Sequence, residues 1–305
     1  MGTIEEEQVR LFVEQSSPLD PIPVELPAPL TAVLRTPLPR SPRAILFDIY
    51  GTLFVSASGD IGASLHADSG VAPFRRAFEL AGGSPLSERS ADEMARLYHD
   101  AIAESHRASR EHGVQHPEVE ITSIWRRVVN RMSADGLEPG PVDVEILSVA
   151  YEALTNPVWP MPGAAELLHA LRARSFPFGV VSNAQFYTRL LFRAFFGATI
   201  ERLGFDHALL SFSYERGCAK PDPALFARPL ASLQERGIDS TDTVYVGNDI
   251  RNDVFCARSA GCMTILFAGD ARSLRLRDDD PNLAGVMPES VVTRLSDILP
   301  VCGME

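Results

Sequence analysis

The sequence predicts an α/β fold, a Rossmann-like parallel sheet core with an inserted helical cap domain. Three observations predict it. Short apolar runs end in polar residues: Ala44-Ile45-Leu46-Phe47 before Asp48, Phe178-Gly179-Val180-Val181 before Ser182-Asn183, and Thr243-Val244-Tyr245-Val246 before Gly247-Asn248-Asp249. Runs of this kind read as strands buried on both faces. Strand and helix patterns alternate from Pro160 onward, which implies a parallel sheet with helices on both faces. Between the first strand and that alternation lies a long stretch of helical periodicity.

The elements follow in chain order. Residues 1–42 form a Pro-rich extension carrying Pro18, Pro21, Pro23, Pro27, Pro29, Pro37, Pro39 and Pro42. That density favours extended segments and forbids a continuous helix. A short helix around Val9–Glu14 is expected ahead of the prolines, and the rest is expected to wrap the surface or be disordered, without a catalytic part. Residues 43–57 and 158–305 form the core, and 58–157 the cap. The cap helices are expected at Phe74–Leu80, Ala91–His112, Ile121–Met132 and Val142–Leu154, with Gly82-Gly83, Gly113 and Gly136 at their ends. In the core, helices are expected at Ala164–Arg174, Gln185–Phe196, Ala224–Glu235 and Asp253–Ala260. Further strands fall at Ala208–Ser211 and Met263–Phe267. No internal repeat is present.

Composition narrows the function. The 305 residues are 45% hydrophobic and 22% charged, ordinary for a soluble globular chain. A net charge of -12 argues against nucleic acid or an anionic membrane as a partner. Cys218, Cys256, Cys262 and Cys302 show no CxxC pair or metal spacing and fit free thiols in a reducing cytoplasm. The amino-terminal residues lack the regions of a signal peptide, and position 6 is Glu where a myristoylation pattern needs Ser or Thr. No apolar run is long enough to span a bilayer. The expected location is cytoplasmic. The composition carries no sign of oligomeric state.

The chemistry sits at the strand ends, where open α/β sheets bind ligands. Right-handed crossovers bring Asp48, Ser182, Lys220, Asp249 and Asp253 to one edge of the sheet. A carboxylate such as Asp48 can act as a nucleophile. The carboxylates suit Mg²⁺, which favours one or two of them plus substrate oxygens and waters. Lys220 and the metal would neutralise a phosphoryl group, and Ser182 would donate a hydrogen bond to it.

Phe47-Asp48-Ile49-Tyr50-Gly51-Thr52-Leu53, Ser182-Asn183, Lys220-Pro221-Asp222-Pro223 and Gly247-Asn248-Asp249-Ile250-Arg251-Asn252-Asp253-Val254 resemble, in order and spacing, the four motifs of the haloacid dehalogenase-like (HAD) hydrolases. The resemblance covers about 43–300, and the helical insert is similar to the family's cap. It implies a Mg²⁺-dependent phosphatase of a small phosphorylated metabolite, acting through an aspartyl-phosphate. Asp48 would be the nucleophile and Lys220 its cationic partner. Thr52, Ser182 and Asn183 would bind the phosphate or support its loop. Asp48, the Tyr50 backbone carbonyl, Asp249 and Asp253 would hold the metal.

Two rivals stand beside this reading. Family phosphatases carry a second Asp two residues after the nucleophile, where this chain has Tyr50. A phenol, with a reference pKa near ~10, is a poor general base at neutral pH. The 2-haloacid dehalogenases of the family carry Tyr there and need no metal, so a halogenated substrate is the alternative. Against it, their fourth motif has Ser and Asn where Asn248 and Ile250 stand, and a Tyr where Phe226 stands. The other rival is a catalytically silent binding protein. Whether Asn248 or Asp249 faces a metal stays open, as does Asp60 as a substitute acid.

Each signal also has a bland reading. Asp48 can cap a turn, Ser182-Asn183 can cap a helix, and Asp249 and Asp253 can favour a helix dipole. Lys220 can be a solvated lysine, and Tyr50 a packing residue in a site that has lost its activity. His66, His99, His106, His112 and His116 show no ligand spacing. Arg75, Arg76, Arg107 and Arg110 read as a solvated helix face, with a substrate-reading Arg among them a lesser expectation. Phe186, Tyr187, Phe192, Phe195 and Phe196 read as core or cap-facing surface.

Overall fold

A computed structural model describes residues 3–58, 70–137 and 140–304. Six strands build one parallel sheet: β1 (Ala44–Phe47), β4 (Phe178–Ser182), β5 (Leu210–Phe212), β6 (Thr243–Gly247), β7 (Met263–Phe267) and β8 (Ser290–Val292). Two more, β2 (Phe54–Ser56) and β3 (Val158–Pro160), form an antiparallel pair. The order in the large sheet is β5-β4-β1-β6-β7-β8. The chain leaves β1 towards β4 on one side and returns to β6 on the other. Asp48, the residue after β1, therefore stands at the switch point where such sheets open a ligand crevice.

The apolar runs are strands because both faces of the sheet are covered. Ile45 and Phe47 pack into one hydrophobic cluster, Ala44 and Leu46 into the opposite one. That alternation is the two-residue period of a strand. Phe47 pairs with Val180 on one side and Val246 on the other, which fixes the register of the three central strands.

The β2–β3 pair is the neck through which the chain enters and leaves the helical insert. Helices Ala72–Leu80, Glu88–Glu111, Ile121–Ala134 and Val144–Thr155 make up the insert. Ser87, Glu120 and Asp143 accept backbone N–H groups at the starts of the last three, satisfying donors that a helix leaves open. An aromatic core joins the four: Tyr98 stacks on Trp125 at 4.4 Å, and Phe74 meets Tyr151 at 4.6 Å.

The amino-terminal extension is ordered where it is described. Its helix is Ile4–Gln15, longer than expected, because Thr3 and Glu6 form a capping box that starts it early. Leu11 and Phe12 are buried, and Phe12 meets the ring of Tyr187. The helix packs against both Val144–Thr155 of the insert and Thr188–Phe196 of the core. The Pro-rich segment then runs beside β8, with Arg35 N donating to Val291 O and Val291 N to Val33 O. It covers an edge strand that would otherwise expose unpaired backbone.

Several elements differ from the sequence reading. β5 starts at Leu210, because Asp206 caps a 3₁₀ turn over His207–Leu209. The helix expected at Asp253–Ala260 is a π-type turn, Ile250–Phe255, followed by a short helix, Cys256–Ser259. The neck strands and β8 are only three residues each, too short for a visible period. All four cysteines are free thiols. Among the described residues, no helix is long and apolar enough to cross a membrane.

Candidate active site

Asp48 is presented by a turn that only glycine allows. Gly51 has φ +80°, and a Cβ there would lie 2.5 Å from Ser273 Cβ and 2.6 Å from Asn248 Nδ2. The turn is thus conformationally and sterically reserved for glycine. Asp48 is 6% exposed and lines a cavity of about 590 Å³ between the sheet edge and the helical insert.

Lys220 organises the floor. Its Nζ donates to Asp48 Oδ1 at 2.7 Å, to Asp253 Oδ1 at 2.6 Å and to Tyr245 OH at 2.8 Å. Ser182 Oγ donates to the same Asp48 oxygen at 3.0 Å. No hydrogen bond ties the other oxygen, Oδ2, to a described residue. Asp253 Oδ2 accepts the backbone N–H groups of Asn248 and Asp249 at 2.8 and 2.9 Å. A Cβ at Gly247 would sit 2.3 Å from Asp253 Cγ, so that contact too needs glycine. Burial works against the Lys220 charge, but Asp253 and Asp48 outweigh it and hold the ammonium above its ordinary range. Burial pushes the Asp253 carboxyl up, opposed by Lys220. Two close carboxylates around one ammonium favour the charged lysine.

The remaining expected residues fall into three groups. Asn183 holds the loop bearing Lys220, its Oδ1 accepting the Lys220 N–H at 2.7 Å. Thr52 Oγ1 donates to Asn248 Oδ1 at 3.2 Å and is wholly buried, so it braces the turn and does not line the cavity. Tyr50 lines the cavity, and its hydroxyl meets Thr188 Oγ1 at 2.9 Å. Burial, then Glu152 and Asp48, push the Tyr50 phenol well above its ordinary range. That makes it a still poorer base than a free tyrosine.

Asp249 departs from expectation. Its Oδ1 caps its own turn, accepting from Arg251 N and Asn252 N at 2.8 and 3.1 Å. Its Oδ2 is closed on Arg277, with Nη2 at 2.5 Å and Nε at 3.2 Å. Asp253 has both oxygens occupied by Lys220, Tyr245 and the two backbone groups. Asp249 and Asp253, expected beside Asp48 as metal ligands, are thus both engaged by groups of the protein itself. Among the described residues, no three His, Cys, Asp or Glu side chains gather to hold a metal. The Asp48 oxygen without a described partner and the Asn248 amide oxygen, which accepts from Thr52, are the less engaged oxygens here, a small set that suits Mg²⁺ when substrate oxygens and waters complete it.

Several cavity residues were not singled out from the sequence. Tyr245 looked like a core position of β6, yet its hydroxyl bridges Lys220, Asp253 and the Val181 carbonyl. Glu118, Glu152, Tyr98 and Tyr151 line the side formed by the insert. Of the histidines and arginines weighed from the sequence, His106, His116 and Arg110 line it as well. Asp60 and His66 lie outside the described residues.

The chain belongs to the haloacid dehalogenase-like hydrolases: the family model matches residues 42–261. It is a hydrolase, and the curated relatives it resembles are phosphatases. A glyceraldehyde 3-phosphate phosphatase of Methanopyrus kandleri is 25% identical over 266 residues, covering 85% of this chain and 96% of that relative. A ribulose-1,5-bisphosphate 5-phosphatase of Halopiger xanaduensis is 32% identical over 132 residues, 42% of this chain and 51% of that relative's length. Among solved structures, a 2-haloacid dehalogenase from Pseudomonas syringae pv. tomato DC3000 superposes with a TM-score of 0.53 at 20% identity, covering 85% of this chain and 97% of that one. The last similarity speaks to the fold alone.

Proposed function

We propose that this hydrolase is a phosphatase of a small phosphorylated metabolite, using Asp48 as its nucleophile. One observation carries the reading: Asp48 has one oxygen held by Lys220 and Ser182, while the other bonds no described residue and the side chain lines the cavity. Fixing one oxygen orients the other for in-line attack on phosphorus. A bond forms between that oxygen and phosphorus as the ester P–O bond breaks. The leaving alkoxide takes a proton, and water then hydrolyses the aspartyl-phosphate to release phosphate and restore Asp48.

Lys220 holds one oxygen of Asp48 and would face the phosphoryl oxygens, while Asn183 and Tyr245 keep Lys220 in place. Mg²⁺ is the cofactor of this reading; Asp48, the Tyr50 backbone carbonyl and Asn248 or Asp249, with Asp253 directly or through water, would hold it. When bound it would offset the charge that develops on the transferring group. The free thiols are consistent with a cytoplasmic enzyme. Residues 58–157 act as the cap and 43–57 with 158–305 as the core.

Tyr50 keeps halide release as the second reading, because the second Asp of family phosphatases is replaced. A panel of phosphate esters and 2-haloacids, with and without Mg²⁺, separates the two. Phosphate release that needs Mg²⁺ supports the proposal. Halide release undiminished by EDTA overturns it in favour of dehalogenation. Binding of a metabolite without turnover of either class would mean a silent binding protein.

A further inference from the structure

The cavity has an end that the chemistry at Asp48 does not use. Glu152, in the helix Val144–Thr155, lines it and is only 7% exposed. Its Oε1 accepts from Asn156 Nδ2 at 3.0 Å and its Oε2 from Tyr187 OH at 3.0 Å. No cationic side chain among the described residues forms an ion pair with it. A carboxyl kept in such a place without a positive partner is a destabilising feature, since the charged form is poorly solvated.

Tyrosines gather around this carboxyl. Tyr50, Tyr98, Tyr151 and Tyr187 all line the cavity, and the Glu152 charge bears on each. The rings of Tyr98 and Tyr151 are 5.3 Å apart. Both side chains are more than nine-tenths buried, at 5% and 6% exposure, yet neither hydroxyl hydrogen-bonds to a described residue. Both hydroxyls reach the open space of the cavity, where a ligand can bond to them. The basic side chains on the same side of the cavity do not fill the role. His106 is held below its ordinary range by burial and by Arg110, while Arg110 and His116 are exposed.

An ammonium group supplies what this wall lacks. It carries the charge that the Glu152 carboxylate needs, donates N–H bonds to carboxylate and phenol oxygens, and sits favourably on aromatic faces. The opposite end, with Lys220, Arg251 and Arg275, suits the phosphoryl group. Asp48, Tyr50 and Glu152 line the same cavity, and both carboxyls lie near enough to Tyr50 to bear on its phenol.

We propose that the preferred substrates are phosphate esters whose alcohol part carries an ammonium group, seated on Glu152 among Tyr98, Tyr151 and Tyr187. This deepens the phosphatase reading of Asp48 and rests on it.

The test uses full-length protein and ω-aminoalkyl phosphates of two and four carbons, against the matching ω-hydroxyalkyl phosphates and phosphoglycolate. The parent should prefer an amino ester over its hydroxyl analogue by about tenfold or more in kcat/KM, the worth of a desolvated cation on aromatic faces. Phosphoglycolate should be poorest. In Glu152→Gln the amino-to-hydroxyl ratio should fall to near one, and any loss common to both esters cancels in that ratio. Equal parent rates on both esters would overturn the inference and leave the phosphatase reading standing. A preference that survives in Glu152→Gln would overturn the assignment to Glu152. The parent series decides alone if the variant does not fold. If no ester turns over, calorimetry of the same compounds with Asp48→Asn decides: tighter binding of the amino esters supports the ammonium site while the phosphatase reading fails, and equal or absent binding overturns both.

Discussion

The Tyr50 hydroxyl meets Thr188 Oγ1 at 2.9 Å, so the side chain that replaces the second Asp of family phosphatases is tied into the wall of the cavity. Burial pushes its phenol well above the ordinary range, and Glu152 and Asp48 add to the shift. A group so placed is a poor proton carrier at neutral pH. Hydrolysis of alkyl phosphates should therefore lag that of aryl phosphates by a large part of the ~10²–10⁴-fold that general acid catalysis supplies. Tyr50→Asp should raise kcat/KM for an alkyl phosphate more than for an aryl phosphate. Equal effects on the two esters would mean that leaving-group protonation is not limiting.

Asp249 and Asn248 should respond differently to substitution. Asp249 is closed on Arg277 and caps its own turn, whereas Asn248 accepts from Thr52 beside the nucleophile. EDTA should stop phosphate release and Mg²⁺ restore it. Asn248→Leu should raise the half-activating Mg²⁺ concentration by about 10–100-fold, the range seen when metal surroundings are altered. Asp249→Asn should move it far less. A larger shift for Asp249→Asn than for Asn248→Leu would return Asp249 to the metal.

Lys220 answers two carboxylates at once, so its removal should be felt in stability as well as rate. Lys220→Met leaves Asp48 and Asp253 buried without their cation and should destabilise the fold by about 3–5 kcal/mol. Chemical denaturation measures this. Lys220→Arg should not restore activity, because a planar guanidinium cannot reproduce a compact ammonium with three donors. Unchanged stability in Lys220→Met would show that the carboxylates find other partners.

How much of this was legible follows from where the signals lie. The long apolar runs ending at Asp48, Ser182 and Gly247 identified β1, β4 and β6, because strands buried on both faces leave an uninterrupted pattern. Asp48, Ser182 and Lys220 could be grouped because crossover handedness brings strand ends together. The pairing of Asp249 with Arg277 was not visible, because Arg277 lies 28 residues on in a loop with no periodicity. Glu152 was invisible for the opposite reason. It sits inside a regular helix, where a lone Glu ordinarily reads as solvated, and only the packing of the insert against the core turns it inward. Tyr245 was read as core, which it is, but its hydroxyl had no visible partner in the sequence.

Glu152 should also give the fold a pH signature. Burial raises its carboxyl above the usual range, opposed by Asn156 and Tyr187. A folded-state pKa above the unfolded one means that the folded chain binds more protons. Its contribution to stability is therefore full at acidic pH and lost as pH rises through the raised value. Glu152→Gln removes that slope. Relative to the parent, its melting temperature should gain ground as pH rises above about 4.5, the reference carboxylate range. A difference that stays constant with pH would show that burial does not raise this carboxyl.

The central claim is that Asp48 is the nucleophile, and one measurement tests it most directly: phosphate release by Asp48→Asn on the best ester found for the parent, in the presence of Mg²⁺ and with folding checked by circular dichroism. The amide is close in size to the carboxylate but lacks its nucleophilic oxygen. The account predicts a folded protein whose turnover falls to background. A folded Asp48→Asn that releases phosphate as fast as the parent, with contaminating phosphatase excluded, would contradict it.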